Sequence, residues 1–422
     1  MSLNRRDFVK LGSMGGLALL LDLLKPDLMG LGAQPQAAAL PRMLYRAYGR
    51  TGKNVSILGF GGMRFDEQAV RKGNLEDPAR LMVEAYELGL NYFDTAPTYV
   101  DNKSEEIFGL AFKEIDRKIK GQPGATPYYC TSKSGIWMEP DAAAVRRRLD
   151  TTLKRLGKDK LHFYHMWCIM NEQHFQGVMK PGGPYEGALA AKKEGLIDHL
   201  VFSSHADCAT TTKIIRSDAF EGLLIGYNML NFPRQEKAIQ AAVDQKIGVV
   251  IMNPLGGGLI PRNQDYFRKM VNPRQKGITV GQTALNFIMG QEGITVALAG
   301  ISNREQLHED VGALRYLEVF SDQKLAELKR QYLRKIGDIC TTCGYCKGCP
   351  VDIPVWTVME FYNSYVLRGK EHARKVLQSY KDEDNIDIKA LVGKCIQCGA
   401  CEKVCTQHLP ILKRFATITR EF

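Results

Sequence analysis

Short apolar or β-branched runs alternate with segments of helical period through the middle of this 422-residue chain. Eight of these runs predict strands, at residues 56–62, 91–96, 128–133, 160–167, 199–204, 222–228, 248–254 and 294–300. Helices are predicted between them, among others at 77–89, 141–156, 184–194, 234–245 and 279–290. Eight strands with intervening helices over roughly 250 residues predict a (β/α)8 TIM barrel, an α/β fold. A doubly wound open sheet is the alternative, and no Gly-x-Gly-x-x-Gly follows the first strand to favour it.

The cysteines are distributed unevenly along the chain. Eight of the 11 lie between Cys340 and Cys405, and only Cys130, Cys168 and Cys208 lie before them. A disulfide framework is more typical of a small secreted chain with scattered cysteines, so the clustering indicates a metal site near the C-terminus. The three outlying cysteines are predicted to be buried thiols in the barrel.

The spacing of the eight cysteines predicts two 4Fe–4S clusters. The motifs are Cys340-x2-Cys343-x2-Cys346-x2-Cys349-Pro350 and Cys395-x2-Cys398-x2-Cys401-x3-Cys405. The fourth cysteine of such a run commonly binds the other cluster. The predicted ligand sets are therefore Cys340, Cys343, Cys346 and Cys405 for one cluster, and Cys395, Cys398, Cys401 and Cys349 for the other. Two zinc sites are the alternative, but paired zinc motifs leave the third and fourth cysteines of each run unexplained.

Three polar residues are predicted to meet at one end of the barrel. Asp94 ends the second predicted strand, Tyr99 follows it, and Lys133 ends the third strand. Barrel chemistry is located at the carboxyl ends of the strands. A tyrosine hydroxyl can protonate a carbonyl oxygen, and a nearby ammonium held by a carboxylate would lower the tyrosine pKa. A buried structural ion pair beside an aromatic ring is the alternative.

Several ordered motifs over about residues 45–315 resemble the aldo-keto reductase family. They are Phe93-Asp94-Thr95-Ala96-x-x-Tyr99, Thr131-Ser132-Lys133, Phe202-Ser203-Ser204-His205, Pro254-Leu255-Gly256 and Ala299-Gly300-Ile301-Ser302-Asn303-Arg304-Glu305-Gln306-Leu307. The resemblance implies a barrel that uses a Tyr–Lys–Asp–His tetrad and NADP(H), with Asp94, Tyr99 and Lys133 as three members. Trp167 occupies the family's histidine position. His165 becomes the candidate fourth member because it shares a strand face with Trp167, and a packed core histidine is the alternative.

The resemblance also implies a nucleotide site, for which NADP(H) is the candidate cofactor. The implied contacts are Ser203, Ser204, Asn228, Gly300, Ser302, Asn303, Arg304, Gln306 and Glu309. Helix N-termini favour anions, although ordinary capping by Ser302 or Asn303 also accounts for part of this segment. Leu224 and Met252 stand where the family commonly places a glutamine and an aromatic residue. The cysteine-rich tail resembles the ferredoxin-type tail of one branch of the family, and residues 355–377 predict a helix that links its two cysteine loops.

The first residues resemble a twin-arginine export signal. Arg5-Arg6-Asp7-Phe8 precedes a modest apolar stretch and then a small-residue segment, Ala37-Ala38-Ala39. An amphipathic helix that happens to contain two arginines is the alternative. The predicted organisation is a signal at 1–39, a barrel at 40–335 and a mainly helical dicluster domain at 336–422. Export would place the protein in the periplasm or an equivalent compartment, with membrane association only through an uncleaved signal.

The charge of +11 comes from 57 Lys and Arg against 46 Asp and Glu. No run of five basic residues and no basic-aromatic stripe occurs, so a nucleic-acid partner is not predicted. Together the patterns predict an exported iron–sulfur oxidoreductase of aldo-keto reductase type. It would reduce a carbonyl or related small molecule with Tyr99 as proton donor and with electrons from NADP(H), the clusters, or both. The alternative is a non-catalytic electron-transfer subunit with a scaffold barrel, and either would use a redox partner protein.

Overall fold

A computed structural model describes residues 39–268, 275–321, 323–328, 330, 339–340, 343–383 and 385–422. Residues Leu40–Phe422 form one compact unit. The predicted signal, apart from its last residue, and the predicted boundary at 335/336 lie outside the described residues. None of the described helices is long and apolar enough to cross a membrane.

Eight parallel strands close into a barrel, as predicted. An antiparallel hairpin precedes them, formed by β1 (Tyr45–Ala47) and β2 (Asn54–Ser56). The barrel strands are β3 (Leu58–Gly61), β4 (Tyr92–Asp94), β5 (Tyr129–Gly135), β6 (Leu161–Ile169), β7 (Ile197–Ser204), β8 (Gly222–Gly226), β9 (Gly248–Met252) and β10 (Val296–Gly300). Neighbours in sequence are neighbours in the sheet, and β10 pairs with β3 to close it. The sequence analysis made no prediction for this hairpin.

Helices follow the strands and cover the barrel. They are α1 (Glu67–Arg71), α2 (Glu76–Glu87), α3 (Ser104–Ile119), α4 (Ala142–Leu156), α5 (Glu172–Met179), α6 (Pro184–Lys193), α7 (Cys208–Arg216), α8 (Glu236–Asp244), α9 (Leu259–Arg262), α10 (Gln264–Phe267), α11 (Val280–Met289) and α12 (Arg304–Gly312). Local sequence fixes their ends. Asp141 caps α4 through the backbone N–H of Ala144, and Gly157 in a left-handed conformation ends that helix.

Tyr48 closes the amino-terminal end of the barrel. It follows strand β1 and is fully buried against Tyr92 and Phe163. A Cβ on Gly222 or Gly248 would lie 2.3 Å from the Tyr48 side chain, so this ring requires glycine at the start of both β8 and β9. The barrel is therefore filled from below by the hairpin.

The cysteine-rich region has a core of its own. The long helix α13 (Val355–Glu383) contains a kink at Gly369, and three shorter helices follow: α14 (Ile388–Gly393), α15 (Ala400–Lys403) and α16 (Ile411–Glu421). Val358, Phe361, Ile388 and Ile418 are fully buried at the centre of this small domain. The predicted mainly helical domain after the barrel is thus confirmed, and its linking helix is longer than predicted.

One buried histidine gives the barrel a pH-dependent stability. Nδ1 of His162 accepts the backbone N–H of Cys130 at 3.1 Å, and burial lowers the pKa of His162 to about 4. The unfolded chain takes up this proton below about pH 6.5, whereas the folded chain does not until about pH 4. Stability is therefore complete above pH 6.5 and falls as the pH decreases toward 4.

We expect His162→Gln to remove part of this dependence. A glutamine oxygen can accept the same N–H but does not titrate. Between pH 7.5 and pH 5, the wild type should lose on the order of 1–2 kcal/mol more stability than the variant. Thermal unfolding at the two pH values measures the difference, and equal losses in both proteins would contradict it.

Candidate active site and candidate cluster sites

A buried ion pair lies at the carboxyl ends of β4 and β5. Nζ of Lys133 donates to Oδ1 of Asp94 at 2.5 Å and to the carbonyl oxygen of Thr95 at 2.7 Å. The second carboxylate oxygen of Asp94 accepts the hydroxyl of Thr131 at 2.7 Å. Both charged side chains are almost fully buried. Burial lowers the pKa of Lys133, and the Asp94 carboxylate opposes this effect.

Tyr99 lies beside this pair at the barrel mouth, half-buried. Nζ of Lys133 is 5.0 Å from the centre of its ring, and the Trp167 ring packs edge-on against it at 5.7 Å. Burial, and after it the Asp94 carboxylate, raises the pKa of Tyr99 well above its usual value. The expectation of a lowered pKa is therefore wrong, because the effects of burial and of the Asp94 carboxylate exceed that of the Lys133 ammonium. A raised pKa keeps the hydroxyl protonated, which suits a proton donor.

His165 lies behind the ion pair. The strand register places it beside Lys133, and its Nε2 is 3.6 Å from Oδ2 of Asp94. Burial, and after it the positive charge of Lys133, lowers the pKa of His165 to about 3, so the ring is neutral. Trp167 occupies the rim above it. The structure thus brings Asp94, Tyr99, Lys133 and His165 together, with His165 in the deeper position expected from its place two residues before Trp167.

A bulge in β6 turns Cys168 toward the barrel mouth, a position that the sequence analysis did not predict. The pairing of β6 with β7 shifts between Met166 and Ile169, and Cys168 has φ 57°. The backbone N–H of Cys168 donates to the hydroxyl of Ser203 at 2.7 Å. Burial raises the pKa of the Cys168 thiol to about 12, so this thiol is unreactive in the folded chain. No sequence pattern marks this bulge.

The predicted nucleotide contacts in the barrel strands are engaged with their own chain. The Ser204 hydroxyl bonds to that of Thr211 at 2.7 Å. Asn228 donates to the carbonyl of Asn253 at 3.0 Å and accepts the N–H of Leu230 at 2.9 Å. Ser203 is held by Cys168, as described above. These side chains are buried, so a nucleotide would contact them only after a rearrangement.

The predicted phosphate segment forms the start of α12. Asn303 caps this helix through the N–H of Gln306, and Gln306 accepts the N–H of Ser302 at 2.9 Å. Arg304 donates to Glu84 at 2.7 Å, and Glu309 accepts the hydroxyl of Thr279 at 2.6 Å. The Ser302 hydroxyl donates to the carbonyl of Arg64, and a Cβ at Gly300 would lie 2.6 Å from the Arg64 side chain. These contacts are those of a capped helix, and the nucleotide role of the segment stays a prediction.

The eight motif cysteines line two cavities. The first cavity is lined by Cys340, Cys343, Cys346 and Cys405, together with Trp356, Met359, Gln407 and Leu409. The second is lined by Cys349, Cys395, Cys398 and Cys401, and it also touches Cys346. The first cavity is thus lined by four thiols and the second by five, because Cys346 borders both. Four thiolates are the ligand set of a 4Fe–4S cluster, so the residues present fit this group.

Neighbouring groups hold the first set of cysteines in place. The side chain of Asn363 accepts the N–H of Cys340 at 2.9 Å and donates to its carbonyl at 2.7 Å. The N–H of Leu409 donates to the sulfur of Cys405 at 3.4 Å. The bond to the sulfur favours the thiolate form of Cys405, against the larger effect of burial, which raises its pKa. The sequence patterns did not identify Asn363, which lies about two turns into the linking helix.

The chain thus combines two parts. One is a barrel with the Asp94, Tyr99, Lys133 and His165 side chains at its strand ends, and the other is a domain whose cysteines line two cavities. This combination is that of an oxidoreductase. A family model of the aldo/keto reductases matches residues 57–332, and one of a 4Fe–4S dicluster domain matches residues 336–409. The chain belongs to the aldo/keto reductase family and is an oxidoreductase of that type with a 4Fe–4S domain.

The chain is also similar to individual relatives of known name. It is 26% identical over 300 residues to L-galactose dehydrogenase of Arabidopsis thaliana, covering 65% of this chain and 88% of that one. It is 23% identical over 333 residues to L-glyceraldehyde 3-phosphate reductase of Escherichia coli (strain K12), covering 68% and 92%. An aldo-keto reductase from Klebsiella pneumoniae, solved in complex with NADPH, has a TM-score of 0.54 at 21% identity, covering 69% and 96%. At this identity, the last similarity shows the fold alone.

Proposed function

We propose that the barrel mouth reduces a carbonyl or related group of a small molecule, with Tyr99 as the proton donor. The observation that carries this proposal is the half-buried Tyr99, with its raised pKa, beside the Lys133–Asp94 pair. A protonated hydroxyl can hydrogen-bond a carbonyl oxygen and pass its proton to it as charge develops there. The nearby ammonium of Lys133 stabilises the phenolate that this transfer leaves.

The neighbouring residues hold the proton donor in place. Asp94 and the Thr95 carbonyl fix the Lys133 ammonium beneath the Tyr99 ring. Neutral His165 packs against Asp94 from below and adds no charge to the pair. Trp167 packs against the edge of the Tyr99 ring and limits its movement. We infer that Asp94 and His165 act through Lys133 and do not touch the substrate.

The two cavities support the proposal of two 4Fe–4S clusters, which Cys340, Cys343, Cys346 and Cys405 and Cys395, Cys398, Cys401 and Cys349 would hold. A cluster, when bound, would supply or accept one electron. We propose that the two electrons that convert a carbonyl to an alcohol come from this domain, one from each cluster, and are replaced by a redox partner. Tyr99 supplies one of the two protons and solvent the other, and NADP(H) is not required. Apolar Leu224 and Met252 in the barrel and the engaged side chains of the α12 segment support this choice.

The proton-donor role predicts the effect of Tyr99→Phe. Turnover of a panel of small aldehydes and ketones, with reduced viologen as donor, should fall by about 100-fold or more because the donated proton is lost. Iron content should be unchanged. Tyr185→Phe is the matched control, since this half-buried tyrosine only donates to the Ala219 carbonyl. Unaltered turnover in the Tyr99 variant would instead favour a scaffold barrel on an electron-transfer subunit.

We also propose that the chain is exported by the twin-arginine route to the periplasm or an equivalent compartment. The support is the sequence Arg5-Arg6-Asp7-Phe8 together with the apolar stretch that follows it. Replacing both arginines with lysine should retain the protein in the cytoplasm, as measured by fractionation. Export at the normal level would contradict the proposal.

Arg414 is predicted to set the potential of the first cluster. Its side chain is 3% exposed, lies 5.1 Å from the Tyr362 ring centre, and favours the thiolate of Cys405. A nearby positive charge stabilises the more negative, reduced state, so Arg414→Met should lower the midpoint potential by on the order of 60 mV. An anaerobic redox titration followed by EPR measures it. The exposed neighbour Lys413 provides the control variant, and equal shifts in both variants would contradict the prediction.

A further inference from the structure

The loop that carries the first cysteine motif reaches into the barrel mouth. Tyr345 stands between Cys343 and Cys346, two ligands of the proposed first cluster. Its ring centre is 4.8 Å from that of His205, which follows β7. It also packs against a small buried cluster of Ala96, Trp167 and Cys168, against which Tyr99, the proposed proton donor, packs as well.

Tyr345 packs against the bulge in β6. It contacts the small apolar cluster that contains Trp167 and Cys168. Cys168 is only 4% exposed, and the backbone bulge with φ 57° directs it toward this loop. A residue in the left-handed region costs conformational energy unless its surroundings hold it there. Ser203 holds the backbone of the bulge from within the barrel, and Tyr345 packs against the cluster that contains Cys168 from the cysteine loop.

The other segment of the first cavity is also bound to the barrel. Gln407 lies two residues after Cys405 and lines that cavity. Its side-chain oxygen accepts the amide of Asn231 at 3.1 Å, and its carbonyl accepts the guanidinium of Arg234. Both barrel residues follow β8, at the same end of the barrel as Tyr99. The two segments that carry the first ligand set therefore both contact the barrel mouth, one after β7 and the other after the neighbouring strand β8.

We propose that Tyr345 is a positioning residue of the barrel site, supplied by the loop that binds the first cluster. The loop forms one wall of the site, so assembly of the first cluster and closure of the site are coupled. Coupling of this kind is reciprocal, because each event stabilises the state that the other requires. The inference rests on the proposed function, which makes the barrel mouth an active site. Its test does not measure turnover.

The test uses the reactivity of Cys168 toward N-ethylmaleimide in the full-length holoprotein, read by mass spectrometry of its peptide. In Tyr345→Ala with unchanged iron content, Cys168 should be labelled on the order of tenfold faster than in the wild type, because its cover is removed. Tyr345→Phe keeps the ring but removes the hydroxyl oxygen, so only part of the cover is lost and a smaller increase is expected. Removing the clusters with a chelator should also expose Cys168.

Cys130 is the internal control. It is equally buried but lies near the start of β5, where it contacts His162 and not the cysteine loop. Its labelling should be the same in all these proteins. If Tyr345→Ala loses iron, Tyr345→Phe with full iron decides the question. Labelling of Cys168 at the wild-type rate in the iron-replete variant would overturn the proposal, whatever the Tyr99→Phe result.

Discussion

Cys349→Ser is expected to remove the second cluster and leave the first intact. Cys349 ends the first motif in sequence, but it lines the second cavity, with Cys395, Cys398 and Cys401. A serine at this position cannot supply the thiolate that the cluster needs. Iron content should fall from about eight to about four atoms per chain, with one EPR signal retained.

Cys405→Ser should remove the first cluster and leave the second intact, because Cys405 lines the first cavity. Arg414→Met should then no longer shift the potential of the remaining signal. Cys208→Ser is the control, since Cys208 is a half-buried barrel cysteine outside both cavities. If Cys349→Ser removed the same EPR signal as Cys340→Ser, the assignment of Cys349 to the second cluster would be wrong.

Lys133→Met is expected to lower the free energy of unfolding by about 3–5 kcal/mol, because it leaves the Asp94 carboxylate buried without its partner. The side chains of Lys133 and Asp94 are 0% and 2% exposed, so water cannot replace the lost ammonium. Adding Asp94→Asn should recover part of the loss by removing the stranded charge. Thermal unfolding of the single and double variants measures both effects.

Lys103→Met provides a matched comparison for this result. Lys103 pairs with Glu106 at 2.9 Å, but both side chains are well exposed to solvent. Exposed pairs contribute about 0–1 kcal/mol, so this variant should lose little stability. A Lys133→Met variant as stable as Lys103→Met would show that the pair is hydrated in solution and would contradict the buried site described above.

The barrel could be predicted from the sequence because the evidence for each strand is local. Each strand is a short apolar run, and Asp94, Tyr99 and Lys133 meet because parallel strands place their carboxyl ends at one edge. The ligand sets stay a prediction that rests on the cysteine spacing. The cavities agree with it in placing Cys405 with the first motif and Cys349 with the second, although Cys346 borders both cavities.

The missed features depend on contacts between distant segments. The raised pKa of Tyr99 follows first from burial and then from the Asp94 carboxylate, and residue spacing does not show how deeply a side chain is buried. The bulge at Cys168 and the approach of Tyr345 to it join residues 177 positions apart in sequence. A capped helix and a nucleotide site share the pattern of residues 300–309, so that pattern alone could not decide between them.

The central claim is that the barrel site works with electrons from the 4Fe–4S domain. The most direct measurement reduces the holoprotein with dithionite, removes the excess reductant, and adds the carbonyl panel anaerobically without NADPH. The account predicts that dithionite bleaches the clusters and that their visible absorption recovers as alcohol forms. It predicts no recovery in the Tyr99→Phe variant. Turnover of the same carbonyls with NADPH by chelator-treated protein, at a rate equal to that of the holoprotein, would contradict it.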